Sequence, residues 1–343
     1  MAVEKSCLRD VQSVKAFVEG TYGFRPDTVK KLDTGSANCF QIFANGNGFF
    51  LKEFQEKFER AALEREVRVC TLVAEVVPTS RFIPTLTGDV VCEFGGHLFH
   101  LQQLLAGRAY PQNQFDQPLF VQEAEMLAKI HRCLDGKITL PEGFPAPWFE
   151  GWSKERTIKK YEKIREEKLA DTENPLSQQL ADACQVKRSL LQSFDLDYGQ
   201  LKKLTTVNSH GDYNNLQILV DEQCCISAVI DFSSAASLPA VWEIIRSYTL
   251  SAKTCAGGVR IDLDGLKCYL DAYLAIRPLT LFDVVHMADF YYFDLLRSSF
   301  GFTARDEATA AFALWRTNMC AYLEQNAARI REFFYNAYRN VLK

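Results

Sequence analysis

The sequence predicts an α+β chain in two lobes: a small antiparallel β-rich lobe over residues 1–104 and a larger, mainly helical lobe over residues 105–343. Three observations carry this. Between residues 28 and 104, short runs of β-forming residues alternate with strong turn signals. From Gly107 onward the apolar residues fall at helical spacing, and after Pro239 nearly everything to Lys343 has helical character. The exception is "TTVNSHGDYNNLQILVDEQCCISAVIDFSSA", Thr205 to Ala235, where two short strands follow a cluster of polar residues.

Taken in order, "LRDVQSVKAFVE" over residues 8–19 sets Val11, Val14, Phe17 and Val18 on one helical face. The stretch "TVKKLDTGSANCFQIFANGNGFFLKEF" reads as two β runs around "DTGSA" and two around "ANGNG". Asn45-Gly46 and Asn47-Gly48 are hairpin signals, because Asn and Gly tolerate positive φ. A charged amphipathic helix follows, "EKFERAALEREVRVCTLVAEV". "TGDVVCEF", "GG" and "HLFHLQQLLAG" then read as a further hairpin, for a sheet of about five strands with one helix inserted after the third. Downstream, "PLFVQEAEMLAKIHRCL" and residues 153–170 and 176–194 are helical.

Composition narrows the function. An apolar fraction of 48% and a charged fraction of 24% are those of a globular chain with a sizeable core. The net charge of -4, with no basic stripe, argues against nucleic acid as a partner. The run "SKERTIKKYEKIREEKLADTE" mixes both signs and reads as a solvated helix face. The 11 cysteines include no C-x-x-C, so zinc ligation and a disulfide framework both lack a sequence signature. With no secretory signal and no apolar run long enough for a membrane span, the expectation is a cytoplasmic protein.

The polar stretch raises the chemical question. Asp212 precedes one short strand and Asp231 ends the next. A hairpin through the turn near Asp221–Gln223 would bring both carboxylates to one end, with Gln217 just after the first loop. Carboxylates and an amide carbonyl are hard oxygen ligands suited to Mg²⁺. The alternative for each aspartate alone is a turn cap.

"HGDYNNLQIL…AVIDF" resembles the catalytic core of the aminoglycoside phosphotransferase and choline kinase superfamily, small-molecule kinases with a protein-kinase-like fold. Their core usually reads H-G-D-x-H-x-x-N-[IVL]-L followed by [IV]-D-[FW]. It is the cousin of the protein-kinase H-R-D-x-x-x-x-N loop and the D-F-G that follows. The resemblance spans residues 28–248. It implies ATP (or another nucleoside triphosphate) and Mg²⁺ as cofactors. It further implies Asp212 as the catalytic residue that orients the acceptor hydroxyl and takes its proton, and Asp231 with Gln217 as metal ligands. Lys52 in "FFLKEF" corresponds to the phosphate-binding lysine, and Glu66 (or Glu64) to its helix partner. Gly35 and Ser36 in "LDTGSANCF" would lie over the phosphates. "FHLQQLLAG" resembles the linker between lobes, with the backbone of Gln103 to Leu105 on the adenine edge. His131 and His210 read as packing or bracing groups, and Glu243 in "PAVWEIIRSY" as support for the loop.

Some positions depart from the pattern. Gln217 stands where the family has Asn, Asn214 where His is common, Asn215-Leu216 where Pro-Gly is frequent, and Ser233 where an acid is often found. The expected activity is therefore phosphoryl transfer to a small hydroxylated acceptor (amino alcohol, homoserine, aminosugar or aminoglycoside-like) by a monomer or homodimer. The alternative is a non-catalytic nucleotide- or metabolite-binding module. The absence of A-P-E and the short span after Asp231 argue against a protein kinase, and the absence of G-x-S-x-G against a serine hydrolase. In "LFDVVHMADFYYFDLL", Asp283, Asp289, Tyr291, Tyr292 and Asp294 are candidates to line an acceptor pocket.

Overall fold

A computed structural model describes residues 6–32, 37–54 and 58–342. The chain divides into two compact units. The first comprises residues 1–109, 136–138 and 217–235, and the second residues 110–135, 139–216 and 236–343. The division is discontinuous, whereas the sequence reading cuts the chain once, at 104/105.

The first unit opens with α1 (Val11–Tyr22). Asp10 caps it in a reciprocal capping box with Ser13, so the helix begins later than residue 8. The helix buries Val14, Phe17, Val18 and Tyr22 but leaves Val11, its first residue, 45% exposed, against the expectation that Val11 joins the apolar face. Strands β1 (Thr28–Leu32), β2 (Asn38–Ala44) and β3 (Asn47–Phe54) lead to α2 (Arg60–Val73). Then come β4 (Phe82–Ile83), β5 (Cys92–Phe94) and β6 (His97–Gln103). They form one six-stranded antiparallel sheet in the order β1-β2-β3-β6-β4, with β5 paired to β6. The strand beyond the five expected is β4, whose two residues are too short to show alternation.

Ala44 pairs with Asn47, so the tight turn is Asn45-Gly46, both with positive φ (50° and 76°), as a two-residue hairpin matching the sheet twist requires. Asn47-Gly48, the second turn signal, lies inside β3 instead. The pleat sends alternate residues to opposite faces. Phe40, Ile42, Leu51, Phe99 and Leu101 pack with α1, while Cys39, Phe54, Leu63 and Val91 cluster separately on the α2 side.

The same unit holds the hairpin of β8 (Ile218–Val220) and β9 (Ile226–Val229). The segment after β6 packs on it. Arg108 bridges Val220, and the Ser227 hydroxyl donates to the Ala106 carbonyl at 2.9 Å. Gly107, at φ 116°, lies so close to this hairpin that a Cβ there would sit 2.5 Å from Ser227 Oγ and 3.2 Å from the Val220 carbonyl.

The second unit is helical: α3 (Gln117–Leu134), α4 (Ala146–Glu150), α5 (Lys154–Ala170), α6 (Ser177–Ser193), α7 (Ala240–Ser251), α8 (Leu263–Leu274), α9 (Leu281–Val285), α10 (Met287–Arg297) and α11 (Glu307–Tyr338). One antiparallel strand pair, β7 (Thr206–Ser209) with β10 (Ala236–Pro239), flanks the loop that carries Asp212. α7 is buried along nearly its whole length, and the aromatic rings of Trp148, Phe194, Tyr198, Phe290 and Phe293 pack near α10. All eleven cysteines are free thiols, six of them buried. Among the described residues, no helix is long and apolar enough to cross a membrane.

Candidate active site

In the first unit, β3 projects Lys52 toward α2 and the residues after β9. Its ammonium lies 3.1 Å from Asp231 Oδ1 and 3.9 Å from Glu66 Oε1. The lysine side chain is 12% exposed and Glu66 1%. Burial pulls the Lys52 pKa down, but the charges of Glu66 and Asp231 more than offset it and hold the ammonium above its ordinary value. Glu64, the other candidate, pairs with Arg60 at the exposed surface, so Glu66 is the residue brought to Lys52.

The register Lys52↔His100 adds a member that sequence reasoning missed. His100 is fully buried, with Nε2 3.6 Å from Glu66 Oε2 and its ring against Phe54 and Phe82. Neither Glu66 oxygen makes a hydrogen bond among the described residues, so Glu66 is held by charge at 3.6–3.9 Å rather than by short contacts.

Asp231 follows β9 in the left-handed region, at φ 64° and ψ 63°. That conformation costs a non-glycine residue about 1 kcal/mol, least for Asp and Asn. Its Oδ1 accepts from Lys52 and, at 2.9 Å, from the Ser233 hydroxyl. The serine that departs from the family pattern is thus a donor to the carboxylate. The Ile230 N–H donates to the Gln217 carbonyl at 2.9 Å, which fixes Gln217 and Asp231 at the same end of the β8–β9 hairpin.

Gln103 ends β6, and its N–H donates to Arg81, while the Leu104 N–H donates to Gly48. Leu105 is the first residue beyond these committed donors. Gly35 and Ser36 lie outside the described residues.

In the second unit, β7 delivers the loop His210–Asn215. Glu243, fully buried on α7, accepts from the Tyr213 N–H at 3.1 Å and from the Ser209 hydroxyl. His131 Nε2 lies 2.5 Å from the same hydroxyl, and its Nδ1 2.8 Å from Tyr273 Oη. Burial alone would push the Glu243 carboxyl up, but the groups facing it, His131, His210 and the Ser209 hydroxyl, hold it below its ordinary value. Asn214 closes the turn: its amide donates to the Asp212 carbonyl at 2.6 Å and its oxygen accepts from the Leu216 N–H at 2.9 Å. This intraloop bonding gives the asparagine a use in place of histidine.

Asp212 is 40% exposed, and its Oδ1 accepts from Arg246 Nη2 at 2.5 Å and from Asn214 Nδ2 at 3.3 Å. Arg246 was missed by the sequence reading. It stands three residues after Glu243 on α7, so one helical turn carries both the loop's support and the arginine that grips Asp212. The guanidinium lies 5.3 Å from the Trp242 ring centre, and the Trp242 indole donates to Asp294 Oδ2 at 3.1 Å. Of the acceptor-pocket candidates, Asp294 joins this chain through Trp242 and is half-buried, and Tyr291 lies within electrostatic reach of Arg246. Asp283 is spent capping α9 and binding Thr205, and Asp289 on Arg331 and His286. Tyr291 and Tyr292 are buried in the helix packing.

His100 and His131 are both held below the ordinary histidine value by burial. A histidine kept neutral in the fold but free to protonate when unfolded makes stability fall as pH drops below about 6.5. Denaturant unfolding should therefore show lower stability at pH 5.5 than at pH 7.5. His131→Gln should remove its share of that difference. An unchanged pH slope in the variant would contradict this reading. Glu243, depressed in the fold, adds a further loss only below about pH 4.5.

The profile of the "Phosphotransferase enzyme family" matches residues 28–279. A search of curated protein sequences returned no match. Among solved structures, a microcompartment-associated aminopropanol kinase aligns with a TM-score of 0.62 at 12% identity, covering 94% of this chain and 99% of that one. An amicoumacin kinase in complex with AMP-PNP, Ca²⁺ and Ami aligns at 0.60 and 13% identity, covering 96% and 97%. A spectinomycin phosphotransferase in complex with ADP and spectinomycin aligns at 0.58 and 12%, covering 92% and 99%. At these identities the likeness is one of fold.

The chain belongs to the phosphotransferase enzyme family. It is a kinase-like enzyme of the class that transfers a phosphoryl group to an alcohol.

Proposed function

We propose that the chain transfers the γ-phosphoryl group of ATP, or of another nucleoside triphosphate, to a hydroxyl of a small amino alcohol, homoserine, aminosugar or aminoglycoside-like molecule. The observation that carries this is the buried Lys52 ammonium shared between Glu66 on α2 and Asp231 after β9. A fixed cation beside a half-exposed carboxylate is what a nucleotide's phosphates and their counter-ion call for. The nucleotide complexes of the aminopropanol kinase's fold-mates, with ADP and with AMP-PNP and Ca²⁺, support the same reading.

Lys52 neutralises the α- and β-phosphates, and Glu66 with His100 behind it keeps the ammonium in position. The backbone at Leu105 meets the adenine edge. Asp231 and Gln217 offer only oxygen donors, a set that fits Mg²⁺. When bound, the ion offsets charge on the β- and γ-phosphates. Asp212, steadied by Arg246, orients the acceptor hydroxyl and receives its proton. Asp294 recognises the polar part of the acceptor.

The direct test is nucleotide turnover against a panel of amino alcohols, homoserine, aminosugars and aminoglycosides. Transfer to one class is expected. No transfer to any, with no ATP binding by calorimetry, would overturn the proposal.

Gln217 gives a finer test. Its arm is one methylene longer than the family asparagine. Gln217→Asn should keep turnover within about threefold, because both side chains present the same carbonyl. Gln217→Ala should weaken metal-dependent nucleotide binding about tenfold, the loss of one oxygen ligand. Equal behaviour of the Ala and Asn variants would remove Gln217 from the metal set.

A further inference from the structure

Lys52 and Glu53 are neighbours on β3, so the pleat sends them to opposite faces of the sheet. On the face away from Lys52, Glu53 is fully buried yet surrounded by groups far apart in sequence. Cys7 comes from the segment before α1 and His97 from the start of β6. The Cys7 Sγ, a Glu53 carboxylate oxygen and a His97 ring nitrogen all lie within 4.8 Å of one another. We propose that Cys7, Glu53 and His97 form a binding site for a thiophilic divalent cation, best matched by Zn²⁺, separate from the phosphoryl-transfer machinery.

The donor set is the first argument. Thiolate, imidazole and carboxylate together are ligands of zinc rather than of Mg²⁺ or Ca²⁺, which take oxygens. Tetrahedral bonds of about 2.0–2.3 Å hold ligand atoms roughly 3–4 Å apart, so the observed cluster needs only small side-chain adjustments to close on an ion.

The second argument is how the histidine meets the carboxylate. His97 Nδ1 is 2.8 Å from Glu53 Oε1, an ion-pair distance, yet this buried nitrogen has no hydrogen bond of acceptable alignment among the described residues. Two donors held close but out of line are arranged to share a third party. Nearby, Asn38 is 3% exposed, its amide nitrogen donates to Glu53 Oε2 at 3.2 Å, and its oxygen has no hydrogen-bond partner among the described residues.

The third argument is the outer bonding. The Cys7 N–H donates to Glu53 Oε1 at 2.7 Å and the Ser6 hydroxyl donates to Oε2. Such bonds orient a ligating carboxylate. Binding would release the Cys7 thiol proton as the Zn–S bond forms. An ion here would tie the N-terminal segment, with Leu8 in the core beside α1, to the sheet.

The test uses the full chain, stripped with a chelator and titrated with Co²⁺ and then Zn²⁺. One Co²⁺ per chain should give a thiolate-to-cobalt charge-transfer band that Zn²⁺ bleaches. Cys7→Ser should abolish the band, and His97→Gln should weaken binding about 10–100-fold. Asp231→Asn should leave it unchanged, which separates this site from the nucleotide's metal. Thermal melts of metal-free variants check folding. Zinc should also protect Cys7 from alkylation, read by peptide mass mapping in the unsubstituted chain, so a misfolded variant leaves this measurement intact. No stoichiometric band, a band retained in Cys7→Ser, or no protection of Cys7 would each overturn the proposal.

Discussion

Asp212→Asn is expected to lower turnover roughly 10²–10⁴-fold, the range for loss of a positioned base, while nucleotide affinity changes less than about twofold. Asparagine keeps the shape of the side chain and an oxygen for Arg246 Nη2 and Asn214, which both reach Oδ1 in the native loop. What it loses is the capacity that the proposed mechanism assigns to Asp212, to accept the proton of an acceptor hydroxyl. Asp212→Ala is the poorer variant. It strips Arg246, 17% exposed, of its counter-charge and adds a folding cost on the order of 1–3 kcal/mol. Arg246→Lys serves as a companion. A lysine cannot hold Asp212 and reach the Tyr213 carbonyl as the planar guanidinium does, so turnover should fall with nucleotide affinity unchanged. Steady-state turnover with nucleotide titration separates the two effects. Full activity of Asp212→Asn would remove Asp212 from catalysis.

Asp231→Asn should reduce turnover about 10²–10³-fold and largely abolish the strengthening of nucleotide binding by Mg²⁺. The substitution is chosen for the backbone. At φ 64° and ψ 63°, asparagine is the residue that tolerates the conformation nearly as well as aspartate. It also keeps an oxygen for Lys52 and Ser233, so the carboxylate charge is the main thing lost. Calorimetric titration of nucleotide with and without Mg²⁺ is the measurement. Retained dependence on the ion would assign the metal to other residues.

Much of the fold was legible because its signals are local. Capping, turn chemistry and apolar period are written in contiguous residues, and α3, α5, α6, the β2–β3 hairpin and the β5–β6 hairpin fall where those signals put them. The misses are equally physical. β4 spans two residues, too few for a period, and exists because β6 offers an edge at Gln102 and Leu101. Val11 shares the face of Val14 and Val18, but as the first residue of the helix that Asp10 caps it stays 45% exposed at the end of that face. Asn47-Gly48 has turn chemistry, yet Asn45-Gly46 forms the turn, because only one two-residue loop can close a given register.

The site divides the same way. The motif "HGDYNNLQIL…AVIDF", with Lys52 on a strand and Glu66 on the next helix, carries the resemblance to the kinase superfamily, and the family match over residues 28–279 agrees with it. Arg246, His100 and the Cys7, Glu53 and His97 cluster cannot be read from the motif. Arg246 reaches Asp212 only because helical phase sets it one turn beyond Glu243. His100 meets Glu66 only because β6 pairs with β3 in the register Lys52↔His100. Cys7, Glu53 and His97 are separated by more than forty positions at each step and converge only when the N-terminal segment packs on the sheet. By itself the sequence determined the type and order of the elements and the charged residues on which the proposed phosphoryl transfer rests, since these depend on neighbours along the chain. Which side chains stand behind those charges was decided by register and helix phase, because contact across elements is set by packing and not by spacing.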